Sequence, residues 1–175
     1  MTGFIPDTTQ PSRTELLSLL NSGNSKSYTL SQIVFSTIAP STANVNYNTV
    51  VTVTGIPGNG YFNSKVVYYN RIDIGLFFKS TLVLDPALLT GVMMWDILSQ
   101  INSMLNLQLR QDEVVNEPVN LAASSLTLSI SNTSEVWLPG SSVVIALVVP
   151  IATYRLLLDT GNGILLDNGT TLTMQ

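Results

Sequence analysis

The chain has 175 residues, enough for one domain or two small lobes with a real core. Only 10% of it is charged, against about 25% in an ordinary soluble domain, and the net charge is −4 with a pI near 4.5. No histidine and no cysteine is present and the basic residues are scattered, which removes disulfides, thiolate catalysis and Cys-based metal sites and argues against nucleic-acid binding.

Residues 1–11 contain Pro6 and Pro11 and show no periodicity, so they read as an extended arm. Met1–Gln10 has neither a basic nor an apolar stretch of the secretory kind. The longest apolar run, Val143–Ala152, falls short of the roughly 20 residues that a membrane-spanning helix needs. These features predict a soluble product made in the cytoplasm.

Ser12 opens S-R-T-E, the pattern of a helix capping box, and Leu16, Leu17, Leu19 and Leu20 follow at helical spacing. Asn21-Ser22-Gly23-Asn24 should end that helix. Thr29 begins a second cap, T-L-S-Q, before Ile33-Val34-Phe35. From Asn48 the period changes to two: Val51 and Val53 alternate with Thr52 and Thr54, as in a half-buried strand. The turn cluster Gly55–Gly60 leads to a second strand over Lys65–Ile74, completing a hairpin. Phe77–Leu84 reads as a further strand, ended by Asp85-Pro86.

Met94–Leu105 is the next helix, with Met94, Ile97, Leu98, Ile101 and Leu105 as its apolar stripe. Leu109–Val115 is a helical turn, and Leu126, Leu128 and Ile130 mark a strand. Trp137–Gly140 is a turn, and Val143–Val149 reads as a strand buried on both faces.

The two halves resemble each other. E-L-L-S-L-L-N-S (Glu15–Ser22) aligns with D-I-L-S-Q-I-N-S (Asp96–Ser103), and V-V-T-V-T (Val50–Thr54) with S-L-T-L-S (Ser125–Ser129). K-V-V (Lys65–Val67) matches S-V-V (Ser142–Val144). The tail has a shorter repeat of eight residues, L-L-L-D-T-G-N-G (Leu156–Gly163) then I-L-L-D-N-G-T-T (Ile164–Thr171), in which apolar strands end at Asp/Gly turns. The expected fold is α+β: two tandem helix–β-hairpin units packed together, with a C-terminal β-meander. The boundaries are an arm at 1–11, units at 12–90 and 91–150, and a tail at 151–175.

Each candidate for chemistry has a plainer reading. Lys26 between Ser25 and Ser27 sits in a polar loop, where nothing buries it enough to lower its pKa. Asp112, Glu113 and Glu117 beside Arg110 read as a solvated face rather than a carboxylate pair for hydrolysis. Asp159 and Asp167 each bring one carboxylate to a Gly turn, too few oxygens for calcium. Gly55–Gly60 lacks the Lys-Ser/Thr and helix of a phosphate loop. Tyr61, Phe62, Tyr68 and Tyr69 with Asn70 form either a sugar-binding platform or ordinary cross-strand packing. No catalytic, cofactor or metal residue is therefore assigned, and no cofactor is expected.

A chain with so few charges suggests a surface that other protein covers, although secreted β domains share this composition. The candidate assembly contacts are the apolar tail residues Leu156, Leu157, Leu158, Ile164, Leu165 and Leu166. The block from T-E-L-L-S-L-L-N to V-Y-Y-N-R-I-D-I, within residues 12–75, resembles a domain of virion structural proteins of large tailed bacteriophages. The tail, 154–175, is similar to short repeats of phage structural proteins. That resemblance implies a non-enzymatic virion component of the capsid surface, neck or tail, oligomeric, with other virion proteins or its own copies as partners and neither nucleic acid nor membrane. The alternative is a host-surface or glycan-binding adhesin module, carried by the aromatic strand.

Overall fold

The computed structural model describes residues 5–61 and 63–149, together with the residue pairs 157–158, 164–165 and 171–172 of the tail. Helix α1, Ser12–Asn24, buries Leu16 and Leu20. Its start is not the expected capping box: Pro11 holds the cap position, no side chain caps the first amides, and Ser12 is buried. Glu15 instead accepts from the Asp7 amide at 3.0 Å. Residues 7–10 close a turn, with Asp7 accepting from the Thr9 amide and hydroxyl, so this part of the expected arm folds back on the helix.

Strand β1 (Ile33–Phe35), strand β2 (Ala39–Pro40) and strand β4 (Ser64–Tyr69) all pair antiparallel with β3 (Thr49–Gly55). The period of two in β3 is visible as burial: Thr49, Val51 and Val53 face the core while Val50, Thr52 and Thr54 are half-buried. The strand expected to reach Ile74 stops at Tyr69. Asp73 accepts from the amides of Gly75 and Leu76 and so starts a short helix, α2 (Ile74–Phe77), inside what reads as a strand. Gly75 allows α2 to lie directly on the carbonyl of Ser142, where any Cβ would collide. Only Leu82–Leu84 of the expected Phe77–Leu84 strand is extended, as β5.

Asp85 caps a 3₁₀ turn at Pro86–Leu88, and α3 follows over Met94–Leu105. Met94, Ile97, Leu98 and Ile101 of the expected stripe are buried, and Leu105 is half-buried. A second 3₁₀ turn, Gln111–Glu113, leads to β6 (Ser125–Ser129) and β7 (Ser142–Leu147). This sheet has the order β5-β7-β6, with β6 antiparallel and β5 parallel to β7. Strand β7 is not buried on both faces as its apolar run suggests: Val144 is 58% exposed. Helix α3 covers one face of the sheet and leaves the other open, so an apolar residue alternates outward. In the tail, β8 (Leu157–Leu158), β9 (Ile164–Leu165) and β10 (Thr171–Leu172) pair antiparallel in sequence order, which is the expected meander. No helix among the described residues is long and apolar enough to cross a membrane.

The same hydrogen bonds recur in the two halves. At the end of α1, Asn21 donates to the Tyr28 carbonyl and accepts from its amide; at the end of α3, Asn102 does both to Leu109. Ser25 and Asn106 hold the left-handed residue after each helix. The Thr29 amide donates to Gln32 Oε1, and the Arg110 amide to Glu113 Oε2. The Ile56 amide reaches the Gln32 carbonyl, and the Ser131 amide the Glu113 carbonyl. Gly55 bonds to Asn63 across the first hairpin as Ile130 does to Ser141 across the second.

Each half has its own core. The second is the larger: Ile97, Ile101, Leu128, Ile130 and Ile145 are fully buried, together with Ile74 and Leu84 from the segment that joins the halves. The first is built from Leu16, Leu20, Ile33, Phe35, Val51, Val53 and Tyr69.

Candidate assembly surface

The joining segment closes one half and leaves the other open. Register places Ser64 of β4 opposite Thr54 and Ser142 of β7 opposite Ser129, so β4 and β7 correspond with Ser64, not the expected Lys65, at the place of Ser142. Strand β7 carries β5 on its outer edge, with Leu82, Val83 and Leu84 facing Ile145, Ala146 and Leu147. Among the described residues, β4 pairs with β3 alone. The consequence is visible in burial: Ile145 is fully enclosed while its counterpart Val67 is only partly covered. Between α1 and the sheet runs a groove of about 1060 Å³. Its apolar lining includes Leu16, Leu19, Leu20, Val51, Val53 and Val67. An unpaired strand edge beside an apolar groove offers another strand both backbone partners and side-chain pockets.

A charged network lies behind this groove and ties the halves together. The Glu135 carboxylate is 3% exposed and accepts from Arg13 of α1, with Nη2–Oε1 at 2.9 Å. Arg110 Nη2 stands 3.2 Å from Glu135 Oε2, an ion pair without the alignment of a hydrogen bond. Burial pushes the Glu135 carboxyl above its ordinary pKa, and the attraction of Arg110 and Arg13 only partly offsets this. Burial also pulls Arg110 down, but the hydrogen bond to Asp112 and the charges of Glu135, Glu113 and Asp112 together hold it above its ordinary value. Tyr69, whose hydroxyl donates to the Glu135 carbonyl at 2.7 Å, is pushed up by burial. The Arg71 guanidinium, lowered by burial, donates to Thr49 Oγ1 at 3.0 Å and to the Ser134 carbonyl at 3.1 Å. Every one of these bonds satisfies a group that folding took out of water.

Of the acidic cluster, only part is a solvated face. Asp112 is exposed and forks onto Arg110 at 3.0 and 3.2 Å. Glu113 is fully buried, accepting from the Arg110 amide and from Ser134 Oγ, because the 3₁₀ turn points adjacent side chains in different directions. Glu117 contributes its carbonyl to the Met94 amide. No three acidic side chains among the described residues converge to hold a metal ion. Lys26 is exposed just past the end of α1. The aromatics divide: Tyr61 packs edge-on against Tyr28, Tyr68 lies by Tyr47, and Tyr69 points the opposite way into the core. They do not share one platform; Phe62 lies outside the described residues.

Of the candidate tail contacts, Leu157 and Leu158 are in β8 and Ile164 and Leu165 in β9, while Leu156 and Leu166 lie outside the described residues, as do Asp159 and Asp167. The groove and the Arg71–Glu135 network escape a reading of the sequence. Their one signal is a charge flanked by apolar residues in a charge-poor chain: Glu135 precedes Val136-Trp137, and Arg71 precedes Ile72.

Residues 6–149 match a family of unknown function, DUF7941. The chain belongs to this family. The DUF7941 region takes in both halves, the open groove and the charged network, and it stops before β8, β9 and β10. No curated protein and no solved structure matches the chain.

Proposed function

We propose that the protein is a non-enzymatic structural component of a tailed-phage virion and acts through protein–protein contacts. The observation that carries this reading is the unpaired β4 edge beside the apolar groove of the first half. An apolar groove of this size in a charge-poor chain is a place for another chain. The buried charges support the same reading, since Glu135, Arg71 and Glu113 each have a structural partner. The resemblance of residues 12–75 and of the tail to phage structural proteins supplies the particle. Mass spectrometry of purified virions tests it: the chain is expected among the particle proteins at stoichiometric abundance, and its absence from intact particles overturns the assignment.

A further inference from the structure

The strand that closes the second half comes from the segment that leaves the first. After β4 the chain runs through residues 70–81 and delivers L-V-L-D, Leu82–Asp85, to the edge of β7. After β7 it runs through a shorter connection, residues 148–155, and reaches L-L-L-D, Leu156–Asp159, which contains β8. In β8 the chain is already extended, and its place at the rim of the tail sheet leaves one edge for pairing. Its counterpart edge, on β4, is the one without a partner strand among the described residues.

We infer that the chain is a tandem of two equivalent units and that Leu156–Leu158 of a second copy adds in parallel to the outer edge of β4, filling the groove under α1. The register follows from the second half. Leu82, Val83 and Leu84 face Ile145, Ala146 and Leu147 there, so Leu156, Leu157 and Leu158 face Val67, Tyr68 and Tyr69 here. In the second half the inward residue is Leu84, buried beside Ile97, Ile101 and Ile145, while Val83 points out at 52% exposure. Leu156 and Leu158 would enter the groove in the same way and Leu157 would point outward. Such a contact is head-to-tail: each copy donates a strand from one end and receives one at the other, which builds a ring or a filament rather than a closed twofold pair. This deepens the assembly reading by naming its surface and its partner.

The absence of cysteine gives a clean test in the full chain. Leu157→Cys and Tyr68→Cys place thiols at facing register positions whose Cα spacing across paired strands suits a disulfide. Mixed and mildly oxidised, the two single variants are expected to give several-fold more linked dimer than Leu157→Cys mixed with Thr42→Cys. The double variant is expected to give a ladder of linked copies on a non-reducing gel, and Leu158→Asp added to it should suppress the ladder. A double variant that closes on itself and runs as monomer shows the tail filling its own groove and overturns donation between copies. Equal dimer from both mixtures overturns it as well. The two readings fail separately: virions that contain the chain while no cross-link forms remove strand donation alone, and cross-linked copies absent from virions remove the virion assignment alone.

Discussion

Glu135 shows what a buried charge does in a chain that has few. Desolvation lifts its pKa, two guanidiniums restrain the rise, and Glu113 adds to it. The folded chain therefore holds the Glu135 proton to higher pH than the unfolded chain does. Between those two values the folded state binds more protons, so this group's contribution to stability falls as pH rises through the window and is recovered as pH drops. On lowering pH from about 7 to about 5, thermal melts of the wild type should gain stability relative to Glu135→Gln, whose side chain does not titrate. Parallel pH profiles for the two proteins would show that Glu135 titrates normally. Asn21 and Asn102 illustrate a different residue-scale economy: one amide side chain closes both backbone groups of a residue seven positions on, in each half.

At the scale of elements, α1 and α3 make the same connections to unequal surroundings. Ile101 of α3 is fully enclosed by β5, β6 and β7, whereas its counterpart Leu20 lines the open groove. Truncation to Ala at Ile101 leaves a cavity that the core cannot close, for an expected loss of about 2–5 kcal/mol in chemical denaturation. Leu20 is also buried, at 6% exposure, but it belongs to the smaller cluster beside the groove, so Leu20→Ala should cost less because that cluster can relax into the groove. Equal losses would mean that the groove is closed in solution. The short helix α2 has the same origin as this asymmetry. Asp73 and Gly75 turn the chain onto β7 instead of letting β4 continue, so the joining segment serves the second half alone.

For the whole molecule, the contacts between the halves are mainly polar. Arg13 meets Glu135, and Tyr69 and Arg71 reach the carbonyls of Glu135 and Ser134. Each half keeps a separate apolar cluster. Local opening should therefore differ between them. Hydrogen exchange is expected to show slower amides in α3, β6 and β7 than in α1 and β4, with the β4 difference shrinking when copies associate. Uniform protection across both halves at low concentration would contradict this.

The α+β class, both long helices, the two hairpins and the tail meander were all legible in the sequence, since periodicity and turn chemistry are local. The recurrence of N-S in the last turns of each long helix was legible too, because its hydrogen bonds span only seven residues. Three features were decided by tertiary structure. The 65–84 stretch breaks into a strand, a short helix and another strand because β7 and Ser142 lie against it, a contact with residues far along the chain. Glu135 is buried where guanidiniums from two other elements meet it, and Glu113 where Ser134 Oγ, far along the chain, donates to it. Among the described residues the outer β4 edge is open because the joining segment turns onto β7 instead. Local composition specifies which elements form, whereas which edge stays unpaired depends on where a single connection ends in three dimensions.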